Sequence, residues 1–202
     1  MIAPLQKIEF GEDVRDLVSD FDCRESQDRD ATPWEAEINE WIKADPSTKD
    51  GARYRTRRKE CKVWLYLNED DDLVGYGSLG RSKWPDVGTD PIVPNLVMTP
   101  ITLIPALGVQ TQFQGRPEGV LPAEKYAGQI LNHLIYEARW KLTERQPCLA
   151  LYVHPDNERA IKFYRKMEFR DFPQTWANPD NGAIYRSMVL KLTPHTPAGD
   201  RR

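Results

Sequence analysis

The sequence is poor in the features that mark several protein classes. No apolar run approaches the roughly 18–20 residues that a bilayer span needs, so no membrane partner is expected. There are three cysteines, Cys23, Cys61 and Cys148, and none makes a Cys-x-x-Cys pair. An odd, scattered set argues against a disulfide frame or zinc site and reads as reduced thiols in a cytoplasmic protein. His133, His154 and His195 show no ligand spacing, so a metal site has no support. The opening MIAPLQKIEFGEDV has neither a basic nor an apolar leader region, and no secretory signal is expected. With a formal net charge of −3, overall charge gives no reason to expect a nucleic-acid partner, although a local patch can override that average.

What is present suits one globular unit. Over 202 residues, 40% are apolar and 29% charged, enough for one core and ordinary in balance. No repeat or second domain is visible, so a single domain is expected over residues 1–192, followed by a polar tail, 193–202.

Apolar periodicity predicts the elements. Val14, Leu17, Val18 and Phe21 mark a helix over 12–21. A second helix opens at Thr32-Pro33-Trp34-Glu35, where Thr32 caps, Pro33 suits the first turn and Glu35 completes a capping box. Its apolar face continues through Ile38, Trp41 and Ile42, and Asp45-Pro46 ends it. Residues 62–67 and 73–79 read as strands joined by an acidic turn, with a loop over 80–95. Residues 96–109 are β-rich but hold Pro100 and Pro105, which predicts two segments or one bulged strand. A helix over 126–142, a strand over 149–153, a helix over 156–166 and strands over 169–172 and 183–192 complete the order.

The segment 149–169, LALYVHPDNERAIKFYRKMEF, carries the most chemical information. A strand leads into Asn157, Ala160, Phe163, Tyr164 and Phe169. At helical spacing alone, Phe163 and Tyr164 read as core aromatics. The run resembles the strand–loop–helix near the C-terminal end of the GNAT acetyltransferases, N-x-x-A-x-x-F-Y-x-x-x-G-F. Glu168 stands where glycine is customary and would have to adopt a left-handed backbone. The segment 107–131, LGVQTQFQGRPEGVLPAEKYAGQIL, resembles the cofactor motif of the same family. Gln114-Gly115-Arg116 opens the loop, and Ala127-Gly128-Gln129 enters the helix. Between them, 117–126 are residues that the compact loop lacks. Either the loop is expanded, or Gly115 and Gly128 are not both phosphate contacts.

The resemblance implies a single α/β domain with a mixed, mostly antiparallel central sheet flanked by helices and splayed where acetyl-CoA enters. It implies acetyl transfer from acetyl-CoA to an amine by direct attack, with Tyr164 as the acid for the leaving sulfur. Leu107, Gly108 and Val109 would line the pantetheine arm, one amide polarising the thioester carbonyl. Gln114, Gly115, Arg116, Gly128 and Gln129 would hold the pyrophosphate end. Asn157 and Phe163 would contact the cofactor or its supporting backbone. Residues 96–109 contain no carboxylate for a general base, which leaves Glu60, Glu137 and His154 as substitutes. No cysteine acyl-enzyme is expected.

Phe21-Asp22-Cys23, 37–43 and 73–79 loosely resemble a GNAT branch that includes toxins acetylating aminoacyl-tRNA. The acceptor is thus open between a small-molecule amine, a protein amine and aminoacyl-tRNA. A non-catalytic relative that binds CoA or RNA is a further alternative, and a homodimer is also left open. The run Arg53-Tyr54-Arg55-Thr56-Arg57-Arg58-Lys59 could grip phosphates, but it reads better as a solvated charged turn.

Overall fold

Strand β2 (Cys61–Leu67) is apolar on both sides, and this sets the layering. Its side chains alternate between faces: Val63, Leu65 and Leu67 join one buried cluster, Trp64 and Tyr66 another. A sheet with two apolar faces needs cover on both. In the computed structural model, which describes residues 4–11, 14–26, 30–83, 100–140, 148–177 and 182–192, helices supply that cover. Helices α4 (Tyr126–Trp140) and α5 (Glu158–Lys166) lie on the Trp64 face. Helices α1 (Arg15–Ser19), α2 (Pro33–Lys43) and α3 (Ala52–Arg57) cover the other.

The remaining strands are β1 (Gln6–Glu9), β3 (Leu73–Lys83), β4 (Pro100–Ile104), β5 (Leu107–Val109), β6 (Cys148–Val153), β7 (Arg170–Ala177) and β8 (Ile184–Lys191). They form one sheet in the order β1-β2-β3-β4-β6-β8-β7, with β5 also paired to β3. Every described pairing is antiparallel except β4 with β6. This is the mixed, mostly antiparallel, helix-flanked α/β domain expected.

Most elements follow their predicted periodicity. On α4, Ile130, Leu131, Leu134 and Ala138 are fully buried. The capping box of Thr32 and Glu35 forms as read. The 12–21 helix is shorter, Arg15–Ser19 among the described residues, and Leu17 points outward at 39% exposure. Two elements escaped prediction. β1 is a short edge strand of mostly charged and polar residues, so it lacks an apolar signal. α3 was read as a charged turn, yet it is a helix anchored by the fully buried Ala52, with Arg53 lying over the Phe10 ring. β3 runs through Lys83 and takes the first residues of the expected 80–95 loop. β7 extends to Ala177 across an irregularity between Phe172 and Thr175, which frames Pro173. Residues 12–13, 84–99, 141–142 and the tail 193–202 lie outside the described residues.

The feature that positions the site is the interrupted strand over 100–109. β4 pairs in parallel with β6 from Thr102↔Leu149 to Ile104↔Leu151. Pro105 then breaks the run, and β5 continues along β3 with no strand paired to its other side among the described residues. The fully buried Ser78 secures the break. Its hydroxyl accepts from the Ala106 N–H at 2.9 Å and donates to the Ala106 carbonyl at 2.8 Å, which also takes the Ser78 N–H at 3.1 Å. Ser78→Ala leaves a buried amide without its acceptor. It should lower unfolding stability by about 1–3 kcal/mol, read from the denaturant midpoint.

Candidate functional site

β5 and β6 diverge beyond Ile104, and a cleft of about 2290 Å³ opens between them. Its walls reach both helical layers, with α2 on one side and α5 and the start of α4 on the other.

Backbone geometry makes the β5 wall reactive. The Ala106 carbonyl and the Gln110 N–H are bonded to β3, and Gly108 lies opposite Tyr76. In an antiparallel ladder the bonding direction alternates. The N–H and C=O groups of Leu107 and Val109 therefore face away from β3, toward the unpaired edge that lines the cleft. The Gln114 side chain takes up the Val109 carbonyl at 3.2 Å, which leaves the two amides directed at the opening.

The expanded loop closes at its base. The Arg116 carbonyl accepts the Tyr126 N–H at 2.9 Å, and the Phe113 and Tyr126 rings meet edge to face. This pinch brings Gly115 beside the first turn of α4 despite the added residues, and Gly115 takes the left-handed turn at φ 74. Gly115, Lys125 and Ala127 line the cleft. The N–H groups of Ala127 and Gly128 have no acceptor among the described residues. Such a helix start, with free amides and a positive dipole end, suits a phosphate.

Of the residues singled out, the cleft brings together Leu107, Gly108, Val109, Gln114, Gly115, Asn157, Phe163 and Tyr164, but not Arg116, Gly128 or Gln129. Gly128 serves close packing: a Cβ there would fall 2.1 Å from the Pro122 carbonyl oxygen. Gln129 accepts from the Leu5 N–H and donates to the Glu124 carbonyl, and Arg116 pairs with Glu118. Gln114 is a bracket, donating to the Cys23 carbonyl at 2.6 Å and accepting from Arg159 at 2.8 Å. Asn157 caps α5 by accepting the Ala160 N–H at 3.0 Å.

Tyr164 is 9% exposed and lines the cleft. Its ring packs between Phe163 and Phe169. Its carbonyl accepts the Phe169 N–H at 3.0 Å, and that of Arg165 accepts the Glu168 N–H at 3.1 Å. These bonds form a Schellman cap, and Glu168 takes its left-handed position at φ 69. The cap therefore exists without the customary glycine. Burial pushes the Tyr164 phenol up to about 12, so it stays protonated and able to donate.

Among the suggested bases, His154 lines the cleft, while Glu60 pairs with Arg58 and Glu137 lies beside His133 on α4. The cysteines are buried. Desolvation, the leading cause, raises the Cys23 thiol to about 12 and the Cys148 thiol to about 11, and it also raises Cys61. This is the state of inert thiols. No group of side chains among the described residues could hold a metal ion, and no described helix is long and apolar enough to cross a membrane. In the basic helix α3, Arg55 pairs with Asp50 at 2.7 Å, and Arg58 with Glu60 at 2.6 Å.

Apart from His154, the sequence reading missed an aromatic part of the cleft wall. Trp34 and Glu37 of α2, Tyr152 and His154 of the β6 end, Trp176 of β7 and Tyr185 of β8 meet there. A signal existed: Glu37 interrupts the Trp34–Ile38–Trp41 stripe, and a charge inside an apolar face often has a local purpose.

No protein-family model matches the sequence, and no curated protein matches it. Solved structures do match. One is a mutant of the AtaT toxin bound to the C-terminus of the antitoxin AtaR and acetyl-CoA, at 14% identity and TM-score 0.57, with 94% of each chain covered. Another is a tyrosine-to-phenylalanine mutant of KacT, at 14% identity and TM-score 0.61, covering 91% of this chain and 94% of that one. A third is a GNAT-family acetyltransferase from Staphylococcus aureus Mu50, at 14% identity and TM-score 0.55, covering 94% and 99%.

Two substitutions test the site's framework. Gly128→Ala should overpack the α4 start against Pro122 and cost about 1–3 kcal/mol of unfolding stability. Glu168→Gly should instead gain about 0.5–1 kcal/mol by relieving the left-handed strain. Denaturant midpoints check both. The fold of this chain is that of the GNAT acetyltransferases.

Proposed function

We propose that this protein is an acetyl-CoA-dependent N-acetyltransferase in which an amine attacks the donor directly. The observation that carries this reading is the splay of β5 from β6, with outward amides on one wall and the buried, protonated Tyr164 lining the same cleft. The donor's chemistry fits these residues at both ends. The α4 start offers the free N–H group of Ala127, with Lys125 nearby, to a pyrophosphate. The amides of Leu107 and Val109 can run beside a pantetheine arm, and one can donate to the acetyl carbonyl oxygen. The acetyl-CoA in the AtaT structure supports the same donor here.

Bound acetyl-CoA supplies the acetyl group and a thiol leaving group. Tyr164 holds the proton that the departing sulfur requires. The inert cysteines leave no thiol for an acyl-enzyme, in keeping with a ternary complex. The acceptor is an amine. Aminoacyl-tRNA, the substrate implied by the toxin resemblance, draws less support from α3, because two of its arginines are already paired with Asp50 and Glu60.

Calorimetric titration with acetyl-CoA, with free CoA alongside, tests the proposal first. Micromolar binding is expected, and no binding by folded protein would contradict it. Tyr164→Phe should bind acetyl-CoA nearly as tightly and lose about 10²–10⁴-fold in kcat. The raised phenol gives a pH prediction as well. An acid loses activity as pH rises through its pKa, so Tyr164 should impose no falling limb near pH 10, where an exposed tyrosine titrates. The limb should come only near 12.

A further inference from the structure

His154 lines the cleft, and the acetyl-transfer reading leaves it without a task. It stands one residue past β6, the strand across the splay from β5. The β4–β6 register ends at Ile104↔Leu151, and three further residues along each strand bring His154 level with Leu107, whose N–H faces the cleft. The ring belongs to the α2 side of the sheet. It stacks on Trp34 with centroids 4.7 Å apart and planes at 29°, and it meets Tyr185 edge-on at 5.7 Å. Tyr164 sits on α5, in the opposite helical layer. A donor that lies along β5 with its sulfur toward Tyr164 leaves the His154 side open to the acceptor.

The two ring nitrogens have different surroundings. The Asp156 N–H donates to Nδ1 at 3.3 Å, so the lone pair lies there and the neutral ring carries its proton on Nε2. The Asp156 carboxylate is 3.8 Å from Nδ1, too far to draw a proton to that side. Nε2 has no partner among the described residues, yet it is not sealed from solvent. The side chain is only 17% exposed, and the Trp34 and Tyr185 rings hold its plane. A fixed N–H with nothing to donate to is a recognition element for an oxygen. An imidazolium also donates from Nε2, so this property survives protonation. With its lone pair on Nδ1 already engaged, the same ring is a poor general base.

Resting on the reading of this cleft as the acetyl-transfer site, we propose that His154 selects the acceptor by donating from Nε2 to an uncharged oxygen beside the reacting amine. The ligand class is a primary amine with a neighbouring carbonyl, an α-amino amide, because a carbonyl oxygen is a strong neutral acceptor. A free carboxylate is disfavoured there. Asp156 stands against the same imidazole, and Glu37 is hydrogen-bonded to Tyr185, whose ring touches it. In the transfer the nitrogen–carbon bond forms, the carbon–sulfur bond breaks and sulfur takes the Tyr164 proton. The surplus proton of the amine passes to water and not to His154.

Nitrogen NMR of the full chain with isotope-labelled histidine tests this directly, with His154→Gln as the blank that assigns the signals. The neutral ring of His154 should show a protonated Nε2 and a bare Nδ1. Glycinamide should shift the Nε2 signal, whereas propylamine, which lacks the oxygen, should not. Acetyl transfer to the same two amines gives the second readout. His154→Phe keeps a flat ring against Trp34 and should lower kcat/KM for glycinamide about tenfold while leaving propylamine unchanged. His154→Gln can place an N–H near the Nε2 position and should restore most of the glycinamide preference. A bare Nε2, no shift with glycinamide, or an equal loss for both amines would overturn the proposal, the last being the mark of a general base. Calorimetric titration with acetyl-CoA separates the two claims. Acetyl-CoA binding without the glycinamide shift removes the His154 subsite alone, and the shift without acetyl-CoA binding removes the donor assignment alone.

Discussion

The bond between the Ser78 hydroxyl and the Ala106 backbone is small, but the working geometry depends on it. A sheet gains by pairing every strand edge, and an unpaired edge in the middle of a sheet is normally costly. Here Pro105 cannot donate to a ladder, so the parallel β4–β6 pairing ends at Ile104↔Leu151. Ser78 satisfies the backbone groups that the break would orphan, and β5 continues along β3 on a diverging line. The result is a permanent opening through the sheet rather than one that a ligand must force. Its walls are held by β3 on one side and β8 on the other.

Once that opening exists, the two helical layers acquire different chemistry. The α4–α5 layer presents a helix start with free amides and a phenol fixed by a C-terminal cap. The α2 layer presents a carboxylate among aromatic rings. Tyr164 shows how fold and chemistry share residues. Its ring fills the core between Phe163 and Phe169, its carbonyl accepts the cap, and the burial this entails keeps its proton on. Gln114 shows the opposite economy. Its side chain joins the Cys23 carbonyl, the Val109 carbonyl and Arg159, so it braces the site from the N-terminal segment to α5.

Elements with a strong apolar period were legible in the sequence, and so was the break at Pro105, because proline's missing donor is a local fact. The left-handed turn at Glu168 was signalled only by the family likeness, which puts glycine there. What escaped was carried by tertiary contact. β1 and α3 hold few apolar side chains and are recruited by their neighbours, β2 for the first and the buried Ala52 for the second. The base of the expanded loop depends on the Arg116–Tyr126 hydrogen bond, which no spacing announces. The aromatic wall draws one or two residues each from α2, β6, β7 and β8, and only the topology brings them together. Arg116, Gly128 and Gln129, placed at the cofactor by likeness of pattern, lie outside the lining of the cleft and make pairing and packing contacts.

The central claim is that a donor lies along β5 and ends at the start of α4. Amide hydrogen exchange, with and without acetyl-CoA, tests this most directly because it reads the backbone groups named here. The account predicts added protection at Leu107, Val109 and Ala127, with little change at β1 or β7. Tight binding that protects some other region and leaves those three amides exchanging as before would contradict it.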